Sequence, residues 1–66
     1  MGLNKNQLLF QLGANIAATQ FKISKELQKL ENRSISDANR RAVLIRAAAL
    51  QRRLAQLRNE RNRLIG

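Results

Sequence analysis

The sequence predicts an all-α fold: a two-helix antiparallel hairpin with a coiled-coil-like seam, ordered within an oligomer or larger assembly. Three observations predict it. Proline is absent and glycine occurs only at positions 2, 13 and 66, while Ala, Leu, Gln, Lys and Arg, all good helix formers, are abundant. Apolar residues recur every seven positions in both halves, with no strand-like alternation. Between the halves, "NRSISDAN" (Asn32–Asn39) gathers side chains that compete for backbone hydrogen bonds and so favour turns and caps.

The first helix is expected at about residues 5–31. Leu9, Ile16, Ile23 and Leu30 form its seven-residue stripe, flanked by Leu12 and Leu27. A second stripe, Phe10, Ala14, Ala17 and Phe21, lies about 100° or more around the helix. Gln7, Gln11, Lys22, Lys25 and Lys29 fill the remaining face. The early part of this helix is therefore apolar on two sides and its last part on one.

The turn is expected at about residues 32–36. Ser34 with Asp37 resembles a capping box, and Ser36 is the other candidate N-cap. Asp37 would then sit at the positive end of the helix dipole, with Arg58, Arg61 and Arg63 near the negative end. Neither proline nor glycine forces a break here, so one unbroken helix is the alternative.

The second helix is expected at about residues 36–65. Val43, Leu50, Leu57 and Leu64 repeat every seven residues, with Ala47, Leu54 and Arg61 between them. That pattern is a coiled-coil seam with one polar position, and its strict heptad implies a left-handed supercoil. Leu44, Ile45, Ala48 and Ala49 lie off the seam, so Ala42–Leu50 is apolar nearly all round. Such a segment is normally buried on all sides. Folding at the turn lays it beside roughly 17–25, where the first helix still has two apolar faces. One hairpin cannot cover both faces of both helices, so a further partner is expected. The contacts expected there are Phe10, Phe21, Leu44, Ile45 and Arg46. Arg46 flanks the seam, where its stem can cover apolar surface while its guanidinium reaches a carboxylate. That acid is expected to be Glu26 across the hairpin, or one on a partner chain.

Size supports the same expectation. The 66 residues form a single small helical unit, 1–66. One core in so short a chain supplies about 3–5 kcal/mol. With no Cys and no His, neither disulfides nor a Cys/His zinc site can add to that. Partner chains remain, either other copies or a larger protein assembly.

Catalysis has no footing in the composition. His, Cys and Tyr are absent, and the acids are Glu26, Glu31, Asp37 and Glu60. A carboxylate pair needs a pocket that separates its pKa values, and two helices offer none. Glu26 has Lys22 and Lys29 at ion-pair spacing, and Glu60 has Arg63. No phosphate-cradling glycine loop is present, so no cofactor, metal or small-molecule substrate is expected.

The net charge is +9, and residues 34–66 carry eight Arg and no Lys. Arg41, Arg52 and Arg63 recur every eleven residues, opposite the leucine seam. They would form a ridge about 33 Å long at ~1.5 Å per residue. Such a ridge could follow phosphates without regard to sequence; the plainer reading is a solvated helix exterior. Base-specific recognition is disfavoured, because Leu44 and Ile45 add bulk where a groove helix needs polar contacts. A membrane surface is not favoured either: Trp is absent, and the polar face of the first helix is rich in Gln as well as Lys. "LLFQLGANIAATQF" (Leu8–Phe21) is too short and too polar to span a bilayer. The start "MGLNKN" departs from the myristoylation pattern at Asn6, and no secretory leader is evident, so a non-secreted protein is expected.

The functional expectation is a non-enzymatic structural or assembly protein, docking in multiple copies. Small size and strong positive charge suggest a virus particle, for instance a phage connector, cement or internal protein. The alternative is a sequence-independent nucleic-acid binder using Arg41, Arg52 and Arg63.

Overall fold

A computed structural model of the chain describes residues 4–66. The lipidation-like start, centred on Gly2, lies outside the described residues. Helix α1 spans Lys5–Gln28, a 3-10 turn follows at Lys29–Glu31, and helix α2 spans Asp37–Ile65. The two helices pack side by side, which excludes a single unbroken helix.

Side chains set the start of each helix. Asn4 Oδ1 accepts from the Gln7 backbone N–H at 2.8 Å, and Gln7 Oε1 accepts from the Asn4 N–H at 3.2 Å. This reciprocal box satisfies two donors at the start of α1. At its other end the Lys29 N–H reaches the Glu26 and Leu27 carbonyls as the helix tightens. The chain turns extended at Asn32, whose Oδ1 accepts from the Ser34 N–H at 3.0 Å. Ser36 caps α2, its Oγ accepting from the Asn39 N–H at 3.2 Å, with Asp37 in the first turn. Of the two candidate caps, Ser36 therefore serves α2 and Ser34 belongs to the turn.

The side chains between the helices occupy one stripe on each. On α1 Leu12, Ile16 and Thr19 are buried and Leu8, Leu9, Ile23 and Glu26 are half-buried, as is Leu30 in the 3-10 turn that follows. On α2 Val43, Ala47, Leu54 and Leu57 are buried, and Ala42, Leu50, Arg61 and Leu64 are half-buried. Leu12, Ile16, Leu54 and Leu57 form the central cluster, with Ile23 and Leu64 packed against it. Val43 is the most enclosed side chain, 1% exposed. Residues early in α1 thus meet residues late in α2, the pairing of an antiparallel hairpin.

One expected packing residue is displaced. Leu27 is 39% exposed, and Glu26 takes the inward position beside it. From Leu9 the non-exposed positions advance by alternating steps of three and four through Ile16, Thr19, Ile23 and Glu26 to Leu30. Leu27 lies about 100° past Glu26 and so points away from α2. Thr19 satisfies its buried hydroxyl locally, donating to the Asn15 carbonyl at 2.7 Å.

The rod measures 50 × 20 × 14 Å. Its accessible surface is 5378 Å². A compact protein of this mass would expose about 4,200 Å², and the unfolded chain about 11,000 Å². Folding alone thus removes only about half of the chain's surface from water, below the ~60% typical of small domains.

Candidate interaction site

Two surfaces carry the residues singled out for contacts. The first lies on the back of α1, away from α2. Phe10 is 79% exposed and Phe21 62%, and Ala14 and Ala17 between them are exposed too. The rings cannot turn inward, because the steps that bring Leu9, Leu12, Ile16 and Thr19 to α2 place Phe10 and Phe21 on the opposite side. The Lys25 amine stands 5.3 Å from the centre of the Phe21 ring, a cation–π contact at the edge of this face.

The second surface is the outside of α2. Ile45 is 70% exposed and Leu44 49%, with Ala48 and Ala49 exposed beside them. The segment Ala42–Leu50, expected to be covered on all sides, is thus covered by α1 along one side only, through Val43 and Ala47. Arg41, Arg52 and Arg63 are exposed, and Ile45 falls between Arg41 and Arg52 on the same outer side.

Arg46 links the two helices. Its Nε donates to Glu26 Oε1 at 3.2 Å, and Lys29 Nζ reaches the same carboxylate at 3.2 and 3.3 Å. The pair places Arg46 beside Glu26, one position past the expected window of 17–25. Glu26 is only 16% exposed at its side chain. Partial burial pushes its carboxyl upward, but hydrogen bonds from Lys29 and Arg46, with their charges, outweigh this and hold it below its ordinary value. The expected Lys22–Glu26 and Glu60–Arg63 pairs are not formed, and the other cations have no carboxylate partner among the described residues.

No family model, curated protein or solved structure matches this chain. The surfaces must be judged on their own chemistry. No group of three or more His, Cys, Asp and Glu side chains assembles among the described residues. No helix among them is long and apolar enough to cross a membrane. An open groove of about 520 Å³ lies at the free end of the hairpin, lined by Leu8, Leu12, Leu57 and Leu64 with Gln11, Asn15, Arg53, Glu60 and Arg63.

Sequence reasoning missed two features. Thr19 and Glu26 sit on the packing stripe, where a count of apolar residues passes over them. The Asn4–Gln7 box was legible as Asn followed three residues later by Gln.

Proposed function

We propose that the chain is a non-enzymatic structural subunit, a helical hairpin that docks in multiple copies in a larger assembly. The observation carrying this reading is the exposure of Phe10, Phe21 and Ile45 on faces that α1 and α2 cannot cover for each other. Isolated exposed apolar residues are ordinary, but two phenyl rings aligned on one helix face suit a contact. The modest burial achieved by the hairpin adds support. We read the packed stripes as a coiled-coil seam, since the alternating three- and four-residue steps on both helices match heptad packing.

The test is sedimentation of the purified chain with thermal melts across a concentration series. An assembling subunit raises its melting temperature with concentration, because association stabilises the folded form by mass action. A monomer that unfolds cooperatively at one temperature regardless of concentration overturns the reading.

A second reading has its own support. Arg41, Arg52 and Arg63 are exposed along one side of α2 and lack carboxylate partners among the described residues. They suit sequence-independent contact with phosphates. Three phosphate contacts per chain predict about a 40-fold loss of duplex affinity between 50 and 200 mM salt. Absence of binding to arbitrary duplex DNA at low salt removes this reading. Both activities would serve one protein in a particle that surrounds a genome, such as a virion.

A further inference from the structure

We infer that the Phe10–Ala14–Ala17–Phe21 face is the contact between two copies of this chain, packed as an antiparallel, two-fold symmetric pair of α1 helices. The inference rests on the assembly reading and names the partner and the face.

The pattern of the face carries the argument. Its four residues step by four, three and four, which are alternate seam positions of a heptad. Read backwards it is the same: Phe, Ala, Ala, Phe with the same steps. A two-fold axis makes residue i of one copy meet residue j of the other and j meet i, and a reversible pattern matches like with like under that operation. Turning one helix end for end sets Phe10 beside the other copy's Phe21 and Ala14 beside its Ala17. The alanines let the helix axes approach to the near end of the usual ~8–10 Å range, and a phenyl ring closes each end. The face is thus complementary to itself, which favours a second copy as its occupant over an unrelated protein.

The boundaries and charges fit as well. The next seam positions outward are Gln7 and Ser24, both polar, and the antiparallel register brings them level with each other. Parallel packing would instead set Lys25 of each copy side by side at the rim. The antiparallel pair separates those amines by roughly 28 Å along the axis, beyond the ~8 Å screening length at physiological salt. Covering four rings and the alanines between them buries on the order of 1,000 Å² in total, the low end for specific protein contacts. The pair therefore forms and dissociates with concentration.

The chain contains no cysteine, so disulfide trapping reads the register directly. A Gln7→Cys chain is mixed with a Ser24→Cys chain under mild oxidation. The mixture should crosslink at least tenfold faster than either variant alone, because like positions lie roughly 25 Å apart along the antiparallel pair. Ala17→Glu, at an exposed helix position, should raise the dimer dissociation constant at least tenfold while circular dichroism shows the helix content kept. Equal crosslinking of either single variant, no crosslinking, or a dissociation constant indifferent to Ala17→Glu overturns the inference. If the chain still self-associates in those cases, the assembly reading stands and only this face is wrong. A cooperatively folded monomer at every concentration removes both.

Discussion

Glu26 occupies a packing position that a leucine or isoleucine would ordinarily fill, and two cations hold it ionised. Its carboxyl titrates below the ordinary value because Lys29 and Arg46 overcome the effect of partial burial. A carboxyl whose folded value is depressed contributes stability that is fully present above its unfolded value, about pH 4.3. That contribution is lost as pH falls through the lower folded value. The melting temperature of the native chain should therefore fall on acidification from about pH 4.3 downward. Glu26→Gln should lose this part of the pH dependence, which paired melts at pH 7 and pH 3 would measure. An unchanged pH profile in the variant would show that the pair contributes nothing to folding. Glu26 was one of the two acids the sequence offered Arg46, the other being on a partner chain, and the pair across the hairpin is the one formed. The inward placement of Glu26 was not legible. It follows from helical phase, and phase is hard to assign where Glu26 and Leu27 both neighbour the stripe and only one is apolar.

Each helix starts at a side-chain cap rather than at a glycine or proline. Ser36→Ala should cost about 1 kcal/mol, the usual worth of an N-cap, whereas Ser34→Ala should cost less because Ser34 takes part only through its backbone N–H. Chemical denaturation of the two variants in parallel measures the difference, and equal costs would contradict the assignment of Ser36 as the cap. Within α1, a Cβ added at Gly13 meets nothing within 4 Å. Glycine in a helix interior gives up about 0.5–1 kcal/mol relative to alanine. Gly13→Ala should therefore stabilise the hairpin by that amount in the same assay. At this scale the sequence was informative: the helices expected at 5–31 and 36–65 occupy Lys5–Gln28 with its 3-10 extension to Glu31, and Asp37–Ile65. The tightening at Lys29 was not foreseen, since no residue there marks it.

The whole molecule is a thin rod whose core is one packed stripe on each helix. Removing a buried leucine costs about 2–5 kcal/mol in well-packed proteins. One core in a chain of this length supplies about 3–5 kcal/mol. Leu54→Ala should therefore unfold most of the isolated chain at 25 °C, seen as lost helical dichroism. The exposed Ile45→Ala should leave the isolated chain's helicity unchanged. If Leu54→Ala stays fully helical, the stability comes from elsewhere than the central leucine cluster. The apolar residues left exposed could be listed from the sequence because surplus apolar surface is a matter of counting. The arginine ridge could be placed on the outer side for the same reason.

The position of the core along the rod bears on the order in which the hairpin forms. The Leu12, Ile16, Leu54 and Leu57 cluster lies toward the open end, while the Arg46–Glu26 pair lies nearer the turn. A search that zipped outward from the turn would meet Val43 and Ala47 first and the leucine cluster last. Loop-closure entropy barely opposes the alternative, because doubling the loop length adds only about 0.6 kcal/mol. Encounter of the two leucine-rich ends can therefore nucleate the hairpin, with the turn settling afterwards. In kinetic terms, a substitution at Leu54 should slow folding, whereas one at Ser36 should chiefly hasten unfolding.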